Sequence, residues 1–362
     1  MNKPLLFMER TFRYRVLKRG YELTRQSGNN PPFLTRLDAG ANVKIRVQIS
    51  SLKVSTREVL LMYAIMGATG NVGGKTADLL LSKGEKVRVI GRSEERLKQF
   101  SDRGAEIAAG DASDTAFLTG AFTGADAVFT IIPPNMTAPD LRGFQNEIGE
   151  SIATAIRNAG VKHIVNLSSL GAELPEGTGP IKGLHDQEQR LNALAGVNIL
   201  HLRPAYFMEN LLWNIDMIIS KGIMGGALRG DLTMAAIATK DIAMVAADHL
   251  VKRSFSGKPA KVLLGQRDLT MDEAARIIGR KIGKPDLKYV TFSYDDAYRG
   301  LLNTGVSKDV SRLFVEMIKG MNDGLFGINR TPRTSENTTG TPFEEFADYF
   351  VTVYNAKTKL AA

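Results

Sequence analysis

The sequence predicts an α/β protein built on a doubly wound parallel sheet, with a smaller C-terminal α/β lobe. Three observations lead there. Apolar strand-like runs alternate with helix-period segments from residue 59 to residue 202, a glycine turn joins the first run to the first helix, and the alternation fades after Arg203. Strands that alternate with helices form parallel sheets with right-handed crossovers.

The first strand is the run Val59-Leu60-Leu61-Met62-Tyr63-Ala64-Ile65-Met66, followed directly by Gly67-Ala68-Thr69-Gly70-Asn71-Val72-Gly73. A helical pattern begins near Lys75. Within 76–82, Ala77, Leu80 and Leu81 share one face, and Lys83-Gly84 ends the helix before a second strand at 87–90. This is a βαβ unit of about 30 residues, with strand, turn and helix in the order a dinucleotide requires. Gly67 and Gly70 permit a tight turn and close backbone approach to a pyrophosphate, and Gly73 lets the helix pack on the strand. With Thr69, Asn71 and Val72 they present unpaired N–H groups at a helix N-terminus. The spacing G-x-x-G-x-x-G is a variant of the usual fingerprint. A turn that binds nothing is the alternative, and the flanking strand and helix argue against it.

A residue that reads the ribose belongs about 20 positions beyond the glycines, where Asp or Glu accepts from a 2'-hydroxyl. Here the strand ends Ile90-Gly91-Arg92-Ser93. A guanidinium with an adjacent hydroxyl suits a 2'-phosphate, so NADP(H) is favoured over NAD(H). Arg92 as a solvated turn residue and Ser93 as the cap of a helix at 94–100 is the plainer reading, and the two roles can coexist.

The third strand, 105–109, ends at Gly110-Asp111-Ala112, and a short helix occupies 114–122. The fourth strand, 127–132, runs into Pro133-Pro134, and a long helix at 140–159 repeats Phe144, Ile148, Ile152 and Ile156 every four residues. Strands five and six are 163–167 and 197–202. Ligands of such sheets bind beyond the carboxyl ends of the strands, near the switch in strand order. Asp111, Ala112, Ile131, Ile132, Pro133 and Ser168 therefore join the glycine turn as cofactor neighbours. Asp111 with Ala112 is either an adenine contact or a helix cap, and 131–133 faces the nicotinamide side. Beyond Arg203, 232–251 and 271–282 read as lobe helices and 331–341 as a polar loop. A helix at 342–354, with Phe343, Phe346 and Phe350 in register, packs back on the body. The expected domains are 62–203 for the dinucleotide and 204–362 for the substrate.

The chain of 362 residues is 43% hydrophobic, enough for a sizeable core. It contains no cysteine, which excludes disulfides, thiolate nucleophiles and Cys-ligated zinc and fits a reducing, cytoplasmic setting. His163, His185, His201 and His249 show no metal-ligand spacing, and no apolar run approaches the roughly 18 residues of a membrane span. The net charge of +9 is concentrated in residues 1–61, with 12 Lys and Arg against 4 Asp and Glu. The remaining body is nearly neutral, which argues against nucleic acid as a partner. The basic segment 1–61 has three readings. Arg10, Arg13, Arg15, Lys18 and Arg19 interleaved with Phe12, Tyr14, Val16 and Leu17 suit a membrane-surface or targeting helix. Val43, Ile45, Val47 and Ile49 alternate as an edge strand. The third, slightly favoured, is that the working protein starts at Met62.

Four stretches together resemble the NmrA-like branch of the atypical short-chain dehydrogenases/reductases. They are the glycine turn, Gly110-Asp111, Val161-Lys162-His163-Ile164-Val165-Asn166-Leu167-Ser168-Ser169, and Leu202-Arg203-Pro204-Ala205-Tyr206-Phe207-Met208-Glu209-Asn210. The resemblance spans 62–354. It implies a Rossmann domain, NAD(P)(H), a variable lobe over the substrate, and either reduction of quinones and aromatic compounds or redox sensing without turnover. The wider superfamily's Tyr-x-x-x-Lys dyad, in which lysine lowers the tyrosine pKa, is missing, because no tyrosine lies between Ser168 and Pro204. Tyr14 and Lys18 have the spacing but precede the nucleotide fold. Candidate replacements are Ser168, Ser169, Lys182 and His185, the last on the helix where the dyad would stand. His163 and His201 are expected to be structural strand residues, and His249 to belong to a lobe helix. Tyr206, Phe207 and Asn210 are the candidate substrate contacts, beside Met208. The expected activity is NADPH-dependent reduction of a small quinone or carbonyl acceptor; the alternative is a non-catalytic NADP(H) sensor that binds a regulatory protein partner.

Overall fold

The computed structural model describes residues 61–361 and four short strands ahead of them. Residues 1–59 and 60–362 are two separate compact units. In the first, β1 (Arg13–Val16), β2 (Tyr21–Thr24), β3 (Phe33–Arg36) and β4 (Lys44–Arg46) form an antiparallel meander in chain order. The helix read around Arg13 to Val16 is thus a strand, consistent with a basic-apolar alternation of period two. Ile45 lies in edge strand β4, paired with β3. Val43, Val47 and Ile49, and also Val59 and Leu60 of the expected first core strand, lie outside the described residues.

The second unit alternates β5 (Met62–Met66), α1 (Asn71–Ser82), β6 (Lys86–Gly91), α2 (Glu94–Ser101), β7 (Glu106–Ala109), α3 (Thr115–Phe122), β8 (Ala127–Thr130), α4 (Leu141–Ala159), β9 (His163–Leu167), α5 (Lys182–Asn192) and β10 (Asn198–Pro204). Then follow β11 (Tyr206–Phe207), α6 (Ile215–Lys221), β12 (Met224–Gly226), β13 (Met234–Ile237), α7 (Thr239–Lys252), β14 (Ala260–Leu263), β15 (Asp268–Leu269), α8 (Met271–Lys281), β16 (Tyr289–Thr291), α9 (Tyr294–Asn303), α10 (Lys308–Asn322) and α11 (Phe343–Ala361). Seven parallel strands lie in the order β14-β10-β9-β8-β5-β6-β7. This sheet starts in the middle at β5, winds out to β7 and returns through β8, so the switch in strand order falls between β5 and β8.

Side-chain alternation sorts the core onto two faces. Tyr63, Ile65, Phe129 and Val165 meet Leu80, Leu97, Ile242 and Leu250 of α1, α2 and α7. Ala64, Met66, Val128 and Ile164 meet Leu118, Ile148, Ile152 and Leu191 of α3, α4 and α5. On this second face the register aligns one polar residue from each of three neighbouring strands. Thr130 Oγ1 donates to Asn166 Oδ1 (3.0 Å), Asn166 Nδ2 donates to His201 Nδ1 (3.1 Å), and His201 Nε2 donates to Asn192 Oδ1 (3.1 Å). Each buried group satisfies the next, and burial holds the His201 imidazole below its ordinary pKa.

The segment 232–251, read as one helix, is instead β13 followed by α7. Ala236 and Ile237 pair with Tyr206 and Phe207 of β11, and Met234 and Ala235 pair with Leu269 and Asp268 of β15; α7 starts only at Thr239, where the Glu209 carboxylate accepts the backbone N–H. α7 packs on α1, so His249 flanks the sheet rather than the lobe. The chain beyond 203 thus returns to the sheet with α7 and β14 before completing the lobe. The lobe core joins Met208, Leu211, Ile215, Leu269 and Ile278 to Phe343, Phe346 and Phe350 of α11.

Candidate cofactor and acceptor site

The turn after β5 is shaped by two close approaches. Gly67 has φ +66°, and a Cβ there would lie 2.9 Å from Ile131 Cγ2. A Cβ on Gly73 would lie 2.4 Å from the Gly67 carbonyl oxygen and 2.6 Å from that of Met66, so α1 rests on the strand end with no space for a side chain. Gly70 N–H donates to Gly67 O (2.9 Å), and no side chain caps the α1 N-terminus. Its first-turn donors and the positive end of its dipole are therefore open to an anion.

At the end of β6, Arg92 is exposed. Ser93 caps α2 by accepting from Arg96 N–H (3.3 Å), so the capping role read from sequence is real. Arg96, not anticipated from sequence, donates from Nη2 to the Thr69 carbonyl (3.1 Å) and places a second guanidinium against the glycine turn. The signal was available in its position four residues after Arg92. Neither arginine has a carboxylate within ion-pair distance among the described residues. Asp111 does not cap α3; Asp114 does, accepting from Ala116 and Phe117. Asp111 Oδ1 instead accepts from the N–H and hydroxyl of Ser113, both at 2.9 Å. These bonds, with a smaller contribution from Arg92, hold its carboxyl below the usual range. Oδ2 is left for an external donor, and Ala112 stands half-buried beside it. Ile131 sits over Gly67, Ile132 is buried, and Pro133 is half-buried.

The proposed acid groups are more constrained than the sequence suggested. Ser168 is buried at the end of β9, and its hydroxyl donates to Glu188 of α5. Glu188 is also buried and receives Arg203 in two contacts, Nε at 2.9 Å and Nη2 at 2.5 Å. Lys182 pairs with Glu316 of α10 at 2.9 Å and is not free to serve a dyad. Ser169 Oγ donates to Leu170 O (3.0 Å). His185 is half-buried on α5, with Nδ1 2.9 Å from the Ala172 carbonyl. That carbonyl can only accept, so Nδ1 carries the proton, and in the neutral ring Nε2 is an acceptor. A neutral His185 therefore takes a proton at Nε2 rather than giving one there.

Tyr206 and Phe207 form β11 at the junction of sheet and lobe. Tyr206 packs against the lobe core, where burial raises its phenol pKa, while Phe207 packs against the sheet core. Asn210 is half-exposed in the strap Met208–Asn214. Glu209, the buried neighbour of Asn210, ties the strap to the cofactor side. It accepts the Thr239 N–H at 3.0 Å and stands 3.7 Å from Lys75 of α1, whose Nζ also donates to Thr239 Oγ1 at 2.7 Å. Glu209 was legible as part of a motif, but its partners, Lys75 and Thr239, lie far away in sequence.

A parallel doubly wound sheet with an uncapped glycine turn at its switch point, closed by a lobe, defines a Rossmann-type dinucleotide-binding protein. The chain belongs to the NmrA-like family, whose model matches residues 62–347. It is 31% identical over 288 residues to a (4-alkanoyl-5-oxo-2,5-dihydrofuran-3-yl)methyl phosphate reductase of Streptomyces griseus, covering 80% of this chain and 96% of that one. It is 27% identical to an NAD(P)H azoreductase of Xenophilus azovorans, with the same coverages. An NADPH-dependent quinone oxidoreductase of Escherichia coli, solved with NADPH, shares the fold with a TM-score of 0.68 at 24% identity, covering 80% of this chain and 99% of that one.

Proposed function

We propose that this chain is an NADPH-dependent reductase of a small, planar quinone or carbonyl acceptor. The observation that carries the reading is the uncapped glycine turn flanked by two guanidiniums, Arg92 and Arg96, at the strand end where a 2'-hydroxyl reader would bring a carboxylate. Gly67, Thr69, Gly70, Asn71, Val72 and Gly73 would hold the pyrophosphate, Arg92 and Ser93 the 2'-phosphate, and Asp111 with Ala112 the adenine. Ile131, Ile132, Pro133 and Ser168 would border the nicotinamide, and Tyr206, Phe207 and Asn210 the acceptor. The absence of cysteine and the use of NADPH fit a cytoplasmic setting. No described helix is long and apolar enough to cross a membrane.

When bound, NADPH would supply a hydride, which with one proton from water takes a quinone to its hydroquinone. The chain's part is to position the acceptor and exclude competing reactions, because the product oxyanion is resonance-stabilised and water can protonate it. Ser168 contributes a fixed hydroxyl, its proton directed at Glu188 and the pair held by Arg203. His185 exchanges a proton through Nε2. Loss of the tyrosine dyad is tolerable for such an acceptor and costly for a simple ketone. One observation favours a second reading, a redox sensor that turns nothing over: Ser168 and Lys182, two of the polar groups available as acids, are already engaged.

Purified protein mixed with NADPH and a panel of quinones and aldehydes, with cofactor binding measured in parallel, separates these readings. The expected result is acceptor-dependent loss of reduced-nicotinamide absorbance, faster with quinones than with aldehydes. Tight NADPH binding without turnover across the panel would favour the sensor.

A further inference from the structure

Trp213 is the only tryptophan of the chain, and it is 64% exposed. An indole left in water forgoes a large apolar contribution, so its setting bears on what it does. The strap Met208–Asn214 that carries it is rigidly held. Met208 and Leu211 are buried in the lobe core, and Glu209 is fixed by Thr239 and faces Lys75. Across from Trp213 stands Phe314 of α10, with ring centroids 6.4 Å apart and planes at 45°. Phe314 packs with Met136 against a cluster of Ala138, Leu141, Val310 and Leu313. The loop after β8 is in turn bound to the start of α10, since Ser307 N–H donates to Met136 O at 2.9 Å and Leu141 N–H donates to Asp309 Oδ2 at 2.9 Å. That loop begins with Ile131, the residue over Gly67. The lobe strap and the carboxyl edge of β8 are thus bridged by one aromatic pair, whose indole is largely exposed.

We propose that Trp213 and Phe314 form the acceptor-binding wall, with Trp213 stacking on a flat, electron-poor aromatic ring and Phe314 holding the indole in place. The proposal rests on the reductase reading and names its substrate class. An electron-rich indole face suits a quinone or other planar aromatic better than an aliphatic carbonyl, and two rigid rings orient it at little entropic cost. Trp213 contacts the acceptor, and Phe314 is a positioning residue.

The test uses the full chain saturated with NADP+, where hydride transfer is absent, and 1,4-naphthoquinone as the probe, with binding measured by calorimetry. Trp213→Ala is expected to weaken naphthoquinone binding by about ten-fold or more and Trp213→Phe by much less, with NADP+ affinity unchanged in both. Phe314→Ala should give an intermediate loss. In turnover, the same variants should raise KM for naphthoquinone with little change in KM for NADPH. Unchanged naphthoquinone affinity in both alanine variants, or no binding by the wild-type complex, would overturn the proposal. Binding that requires Trp213 in a protein without turnover would keep the wall and sink the reductase reading, so the two fail separately.

Discussion

At the residue scale, the proposed choice of NADPH rests on Arg92. Arg92→Asp removes a phosphate partner and adds a carboxylate near Asp111, whose own carboxyl is held ionised by Ser113. Charge-assisted bonds contribute about 1.5–3 kcal/mol each, so NADPH affinity is expected to fall by about ten-fold or more while NADH affinity changes little. Direct titration with both cofactors checks this, and equal losses would remove Arg92 as the phosphate reader. The polar rung across β8, β9 and β10 yields a second expectation. Burial lowers the pKa of His201, with Arg203 and Lys258 adding to it against Glu188, and burial also lowers His163 and His249. Their folded values lie below the unfolded imidazole value near 6.5, so the unfolded chain binds more protons as pH falls through that value. Stability is complete above about pH 6.5 and declines below it. Thermal midpoints from pH 8 to pH 5 should show that decline, with a shallower slope in His201→Gln; identical slopes would contradict it. The place of Arg92 at the end of β6 was legible because it is fixed by counting from the glycines. The engagement of Ser168 was not, because Glu188 and Arg203 reach it only through the packing of α5 on β10.

At the element scale, the β5-turn-α1 unit carries the most exact requirement. An alanine methyl at Gly73 would meet two backbone carbonyls at 2.4 and 2.6 Å, which cannot rotate away as a side chain can. Gly73→Ala should therefore cost about 1–3 kcal/mol or more and strongly weaken cofactor binding. Gly300→Ala is the control: it lies in α9 with nothing within 4 Å of its added methyl and should stabilise by about 0.5–1 kcal/mol. Denaturant midpoints with cofactor titrations measure both, and equal behaviour of the two variants would contradict the close-packing account. Elements with one clear period, such as Ile148, Ile152 and Ile156 in α4, were legible in sequence. The β13–α7 segment was not. Met234 to Ile237 runs directly into the apolar positions of the helix that follows, and the pairing with β11 and β15 and the capping carboxylate of Glu209 divide the two.

At the scale of the whole molecule, the helix after the glycine turn and the strap that carries the proposed acceptor wall are joined through Lys75, Glu209 and Thr239. The helix that receives the pyrophosphate in this account thereby contacts the strap that carries Asn210 and Trp213. The lobe is fastened to the sheet again where the loop after β8 meets α10. The doubly wound sheet was readable because it is made of local units in chain order; in the lobe, helices α8 and α11 were readable from their own periods, but not the core that gathers 206–228, 269–289 and α11 across long separations. Hydride delivery from NADPH to a planar acceptor is tested by kcat/KM for NADPH and for NADH with the same naphthoquinone. Stoichiometric loss of NADPH and quinone is expected, with NADPH preferred over NADH by about ten-fold or more. Equal use of the two cofactors, or no acceptor-dependent oxidation of either despite binding, would contradict it.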